Sequence, residues 1–292
     1  MTLAVGAVFP WGQLRRIADS VPGGGFITGG VVLLSDSRWT FPNGSVKDAG
    51  QKLWPLAPHR NVGAVYAGDV HAAEDSLTLA AKRLEPLSST EPNGVADVVQ
   101  VALCETYSAH AGRRSDLGPL YVLVGMANRL GEGLLIRFAY STNFSPIFVA
   151  GIDMIGWPTA SEKLRNRLPD IDRDLMPRDG KSWPLDIKVW ALHLAAYTFD
   201  EVIAPGTEPT VGGAIQIATL TPNGWEDLEI AHTSDLTGKE GWEGVTKRRN
   251  ELQQWTAGIG APDDGRGLAA FGFTSVLDES CLSRAVDAPL MR

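Results

Sequence analysis

Residues 31–39 read VVLLSDSRW and residues 47–54 read KDAGQKLW. The first is an apolar strand pattern that stops abruptly at Ser35-Asp36-Ser37-Arg38. The second places Lys52 sixteen residues after Asp36. Either charge taken singly reads as a solvated surface group. The interval gains meaning from the start of the chain, where TLAVGAVF at 2–9 forms a short buried strand of small and β-branched residues.

Around these segments the chain alternates strand groups and helices. WTFPNGSV at 39–46 carries Pro-Asn-Gly turn chemistry and predicts a hairpin. VGAVYAG at 62–68 predicts a strand that breaks at Gly68-Asp69 into a helix, with a second helix over 93–109. Asp69 is expected to cap the first helix. Strands are predicted near 119–126, 134–140 and 146–151, then a short helix around 160–167 and a clearer one over 185–201. VGGAIQIATL at 211–220 and WEDLEIA at 225–231 predict two last strands. Strand groups separated by helix pairs predict an α+β fold, a four-layer αββα sandwich of two antiparallel sheets. The domain is expected to cover 1–235, with an insertion at about 10–28 and a C-terminal extension over 236–292.

Composition excludes several function classes. The chain has 292 residues, enough for a full hydrophobic core without disulfides or a structural metal. Its net charge of −8 argues against nucleic acid or an anionic membrane as partner. Cys104 and Cys281 have no metal-like spacing, which suits a reducing cytoplasm. No apolar run approaches the length of a membrane-spanning helix, so a cytoplasmic location is expected. The GGGFITGG stretch at 23–30 lacks the Gly-Lys-Ser/Thr of a phosphate loop. The five histidines show no metal-ligand spacing, and no cofactor is expected. His71 reads as a helix-surface histidine.

Thr2-x-x-x-Gly6, then GVVLLSDSR, Lys52 and VYAGD together resemble the proteasome β-subunit and HslV family of N-terminal nucleophile hydrolases. The resemblance implies that Thr2 is the catalytic threonine and that Asp36, Arg38 and Lys52 are the supporting charged group. It implies that Gly68 marks the oxyanion turn, and that Glu208 stands where the family has an aspartate. It extends to about residue 231, because EPTVGGAIQIATLTPNG at 208–224 resembles the family's Asp-x-x-Ser-Gly-Gly strand and hairpin. Two departures stand out. VAGIDMIG at 149–156 carries no serine, and Val211 occupies the place of a supporting serine.

The chemistry behind such a group is simple. A threonine hydroxyl is a poor nucleophile, but an N-terminal threonine has its own α-amine as base, with an ordinary pKa of about 8. A neighbouring ammonium pushes that amine toward neutrality, and a carboxylate fixes the ammonium. Thr2 becomes terminal once Met1 is excised, which its small side chain permits. The implied function is a threonine-type peptidase, with a catalytically inactive ring or scaffold subunit as the alternative. The implied partners are a peptide or unfolded-protein substrate, a homo-oligomeric ring and an ATP-dependent unfoldase. Trp39 and Trp54 follow closely on Asp36 and Lys52 and are candidates to line a substrate pocket, with core packing the alternative.

Overall fold

The protein is described from a computed structural model. The described residues are 2–9, 29–41, 44–47, 50–57, 59, 61–87, 91–175, 187–198, 202, 210–213 and 215–227. The insertion at 10–28, Glu208 and the extension over 236–292 lie outside them.

Two five-stranded antiparallel sheets, a two-stranded hairpin and two pairs of α-helices account for most of the described residues. The first sheet contains β1 (Leu3–Phe9), β2 (Gly30–Asp36), β10 (Ile152–Gly156), β11 (Ile215–Thr221) and β12 (Gly224–Asp227), in the order β10-β1-β2-β11-β12. The second contains β5 (Leu53–Ala57), β6 (Val62–Gly68), β7 (Leu120–Ala127), β8 (Gly133–Ala139) and β9 (Ile147–Val149), in chain order. The predicted hairpin at 39–46 is present as β3 (Trp39–Thr40) paired with β4 (Val46–Lys47).

Period-two alternation sorts the strand side chains between different clusters. Leu3, Val5, Ala7 and Phe9 join Val32 and Leu34 in one core with α3 (Pro158–Leu175) and α4 (Ile187–Thr198). The alternate residues Ala4, Val31 and Leu33 join Leu53, Val65, Leu123 and Leu135 of the second sheet. The other face of the second sheet, with Ala64, Tyr66, Val122 and Val124, packs against α1 (Val70–Leu84) and α2 (Pro92–Ala111). Gly6 makes room for this arrangement, since a Cβ there would lie 2.8 Å from Leu135 Cδ2. Trp225 of β12 likewise lies over Gly63 of β6, where a Cβ would meet its ring at 2.0 Å. No helix among the described residues is long and apolar enough to cross a membrane.

Three elements differ from the sequence prediction, one of them β10, which pairs with β1 where no separate strand was expected. β5 is a strand the sequence reading did not include; it is an edge strand with an irregular register at Pro55, where a missing N–H costs no ladder bond. The helix expected around 160–167 runs on to Leu175, past Pro169. A proline inside a helical pattern is the ordinary signal to stop, and here the helix does not obey it.

Gly156 closes β10 with φ 105°, and a Cβ there would lie 1.8 Å from the Thr2 carbonyl oxygen. Gly156→Ala combines a left-handed backbone penalty with a backbone clash. It is expected to destabilise the fold by about 2–4 kcal/mol, read as a lower urea midpoint at unchanged slope.

Candidate functional site

Thr2 sits at the entry to β1, and its carbonyl accepts the Trp157 N–H at 2.8 Å. Asp36 is the last residue of β2, the neighbouring strand, while Lys52 immediately precedes β5 of the other sheet. The structure brings the three side chains into one buried cluster. Thr2 is 3 % exposed, Lys52 2 % and Asp36 0 %.

The hydroxyl of Thr2 donates to Asp36 Oδ1 and accepts from Lys52 Nζ. Lys52 Nζ also donates to Asp36 Oδ1 at 3.0 Å and to the Arg38 carbonyl at 2.6 Å. An ammonium has three N–H donors and no acceptor. The Thr2 hydroxyl, the Asp36 carboxylate and the Arg38 carbonyl each accept from it here.

Asp36 is satisfied just as fully. Oδ1 also accepts the Leu3 N–H at 2.9 Å, and Oδ2 accepts the N–H groups of Arg38 at 3.2 Å and Gly212 at 3.1 Å. A buried carboxylate costs several kcal/mol in desolvation unless such partners offset it. Arg38 serves through its backbone at both ends of this network. Its guanidinium lies against Gly212, where a Cβ would meet Cζ at 2.6 Å.

Gly68 closes β6 opposite Leu120, with φ 121°. A Cβ there would lie 1.9 Å from the Pro119 carbonyl, which gives the glycine a packing reason of its own. The Asp69 N–H bonds the Pro119 carbonyl at 3.0 Å. Antiparallel alternation then turns the Gly68 N–H away from β7, toward the β5 side from which Lys52 arrives. Asp69 caps α1, accepting the Ala72 N–H at 3.0 Å, and pairs with Arg114 at 3.0 Å. His71 is exposed on the first turn of α1.

No protein-family model matches this chain, and a search of curated proteins finds no match either.

The two tryptophans part company. Trp39 lies against the loop that carries Lys52, because a Cβ on Gly50 would fall 2.1 Å from its Nε1. Lys47 Nζ stands 5.0 Å from the centre of the same ring. Trp54 instead packs with the cluster beneath α1 and α2, which places it with the helix-side core and not with Thr2. Val211 is buried in the cluster under α3 and α4.

Sequence reasoning missed four contributors: the Gly212 and Trp157 backbone N–H groups, Gln216 and Tyr66. Backbone donors leave no trace in a sequence. Gln216 did leave one, as a lone polar residue between Ile215 and Ile217 of a buried strand. Tyr66 is buried, and its hydroxyl donates to the Gln51 carbonyl at 3.2 Å. Burial first, then the Glu74 carboxylate, holds its phenol well above the usual value near 10. A folded-state value above the unfolded one contributes stability that is complete below pH 10 and is lost as pH rises beyond it. Tyr66→Phe is expected to flatten this alkaline loss in a pH series of urea unfolding. At neutral pH it should cost about 1 kcal/mol for the bond to Gln51.

Proposed function

We propose that this chain is an N-terminal threonine hydrolase of the proteasome and HslV kind, cleaving amide bonds once Met1 is removed. The observation that carries the reading is the hydroxyl of Thr2 bonded to a buried lysine that is itself ion-paired to Asp36. The two sheets and the clusters on their faces support a helix–sheet–sheet–helix sandwich of that family.

In the proposed reaction the Thr2 α-amine takes the hydroxyl proton as Oγ1 bonds the substrate carbonyl carbon. The carbonyl π electrons move onto its oxygen, where the Gly68 N–H, at the start of α1, is the proposed donor. Collapse expels the amine half of the substrate with the proton and leaves an ester on Thr2. Water then attacks that ester, the α-amine again taking a proton, and Oγ1 leaves as the hydroxyl. Lys52 does not accept a proton in this scheme; its charge disfavours protonation of the nearby amine. Asp36 and the Arg38 carbonyl fix it.

The proposal extends to a peptide or unfolded-protein substrate, a homo-oligomeric ring, an ATP-dependent unfoldase partner and a cytoplasmic setting. The substrate, ring and unfoldase follow from the family resemblance, and the cytoplasmic setting from two cysteines that suit a reducing compartment. Intact mass together with turnover of fluorogenic peptide amides tests the reading. A chain lacking Met1 that cleaves such amides supports it. A chain that retains Met1 and is inert favours the second reading, a catalytically inactive ring or scaffold subunit. The burial of Val211 at a place the family gives to a serine is the observation on that side.

A further inference from the structure

Gly50, Gln51 and Lys52 form the short run that delivers the lysine, and their backbone groups are held from several directions. The Gly50 N–H donates to the Ser37 carbonyl at 2.9 Å. The Gly50 carbonyl accepts Gln216 Nε2 at 2.7 Å, and the Lys52 N–H donates to Gln216 Oε1 at 2.9 Å. One amide side chain thus binds the run at both ends, donating to one residue and accepting from the other. Between them, the Gln51 carbonyl accepts the Tyr66 hydroxyl.

Gln216 reaches across from β11, in the first sheet, to the segment that begins β5, in the second. On β11 it stands in register with Ser35, the neighbour of Asp36. Four residues earlier the Gly212 N–H bonds Asp36 itself. A single stretch of chain, 212–216, therefore supports both members of the ion pair. Moving it would move carboxylate and ammonium together.

We infer that Gln216 is a positioning residue that sets where the Lys52 ammonium stands relative to Thr2. The inference rests on the threonine-hydrolase reading above. Only an amide does this work. A carboxylate would face the Gly50 carbonyl without a proton to give, and a thioether would satisfy neither partner. Loss of the clamp frees the backbone of Lys52 and lets its ammonium retreat. The α-amine of Thr2 then feels less repulsion, and its pKa rises.

The test compares the processed wild type with Gln216→Met, which keeps the length and loses both bonds, and with Gln216→Glu, which keeps only the acceptor. The probe is a peptidyl epoxyketone that bonds an N-terminal threonine. Adduct formation is followed by intact mass from about pH 5 to about pH 9, spanning the ordinary range of an α-amine. In Gln216→Met the saturating rate is expected to fall about tenfold with the half-saturating concentration unchanged. The acid limb of the profile should move to higher pH in both variants. A merely structural residue would lower the melting temperature and the reactive fraction without moving that limb.

Labelled wild type with folded variants that keep its rate and profile would overturn the clamp alone. A processed wild type that takes no label overturns the hydrolase reading, and the role of Gln216 falls with it. If Gln216→Met does not fold, the limb in Gln216→Glu decides.

Discussion

Thr2→Ala is expected to reduce amide hydrolysis to background, a loss on the order of 10^4-fold or more, while the chain still folds. The hydroxyl is the only group of the site able to bond the substrate carbon in the proposed scheme. Lys52 Nζ is engaged with Asp36 and the Arg38 carbonyl, and Asp36 has donors on both oxygens. The fold should tolerate the change because Asp36 keeps Leu3, Arg38, Gly212 and Lys52. The lost hydroxyl bonds are expected to cost about 1–2 kcal/mol, a drop of a few degrees in melting temperature. Thr2→Ser, which keeps the hydroxyl, should retain measurable turnover. Equal turnover in Thr2→Ala and wild type would remove the nucleophile from the mechanism.

Asp36→Asn is expected to have the largest combined effect. The carboxylate faces donors on every side: the Thr2 hydroxyl, the Leu3 N–H and Lys52 on one oxygen, and the Arg38 and Gly212 N–H groups on the other. An amide NH2 placed at either position sets donor against donor. It also removes the carboxylate that ion-pairs Lys52, which is 2 % exposed. Breaking a buried pair in this way typically costs about 3–5 kcal/mol. For a domain of this size that is about 10 °C in melting temperature. Activity should fall at least about a hundredfold, since the ammonium no longer has a fixed direction. A variant as stable as wild type would show that the pair contributes little to the fold.

How much of this could be read from the residues depends on distance along the chain. The union of Asp36 with Lys52 was implied by the family resemblance, which their interval of sixteen residues helps to carry. Thr2 joined them because β1 and β2 are neighbours, with Ala4 opposite Ser35. The Gly212 N–H that reaches Asp36 and the Gln216 side-chain oxygen that accepts the Lys52 N–H come from 176 and 164 residues away, and of the two only Gln216 leaves a trace, as a polar residue between Ile215 and Ile217. Trp54 shows the limit of proximity in sequence. It stands two residues from Lys52 yet packs on the helix side, because neighbouring strand positions face opposite ways and Leu53 takes the inter-sheet face. β5 accommodates Pro55 because an edge strand does not need the missing N–H.

The decisive measurement is mass mapping of the epoxyketone adduct on the full chain. Such a reagent needs both the hydroxyl and a free α-amine on the same residue. The account predicts loss of Met1 and a single adduct on the peptide beginning at Thr2, absent in Thr2→Ala and strongly slowed in Lys52→Ala. An unlabelled Thr2 in a chain shown to lack Met1, or equal labelling with and without Lys52, would contradict it.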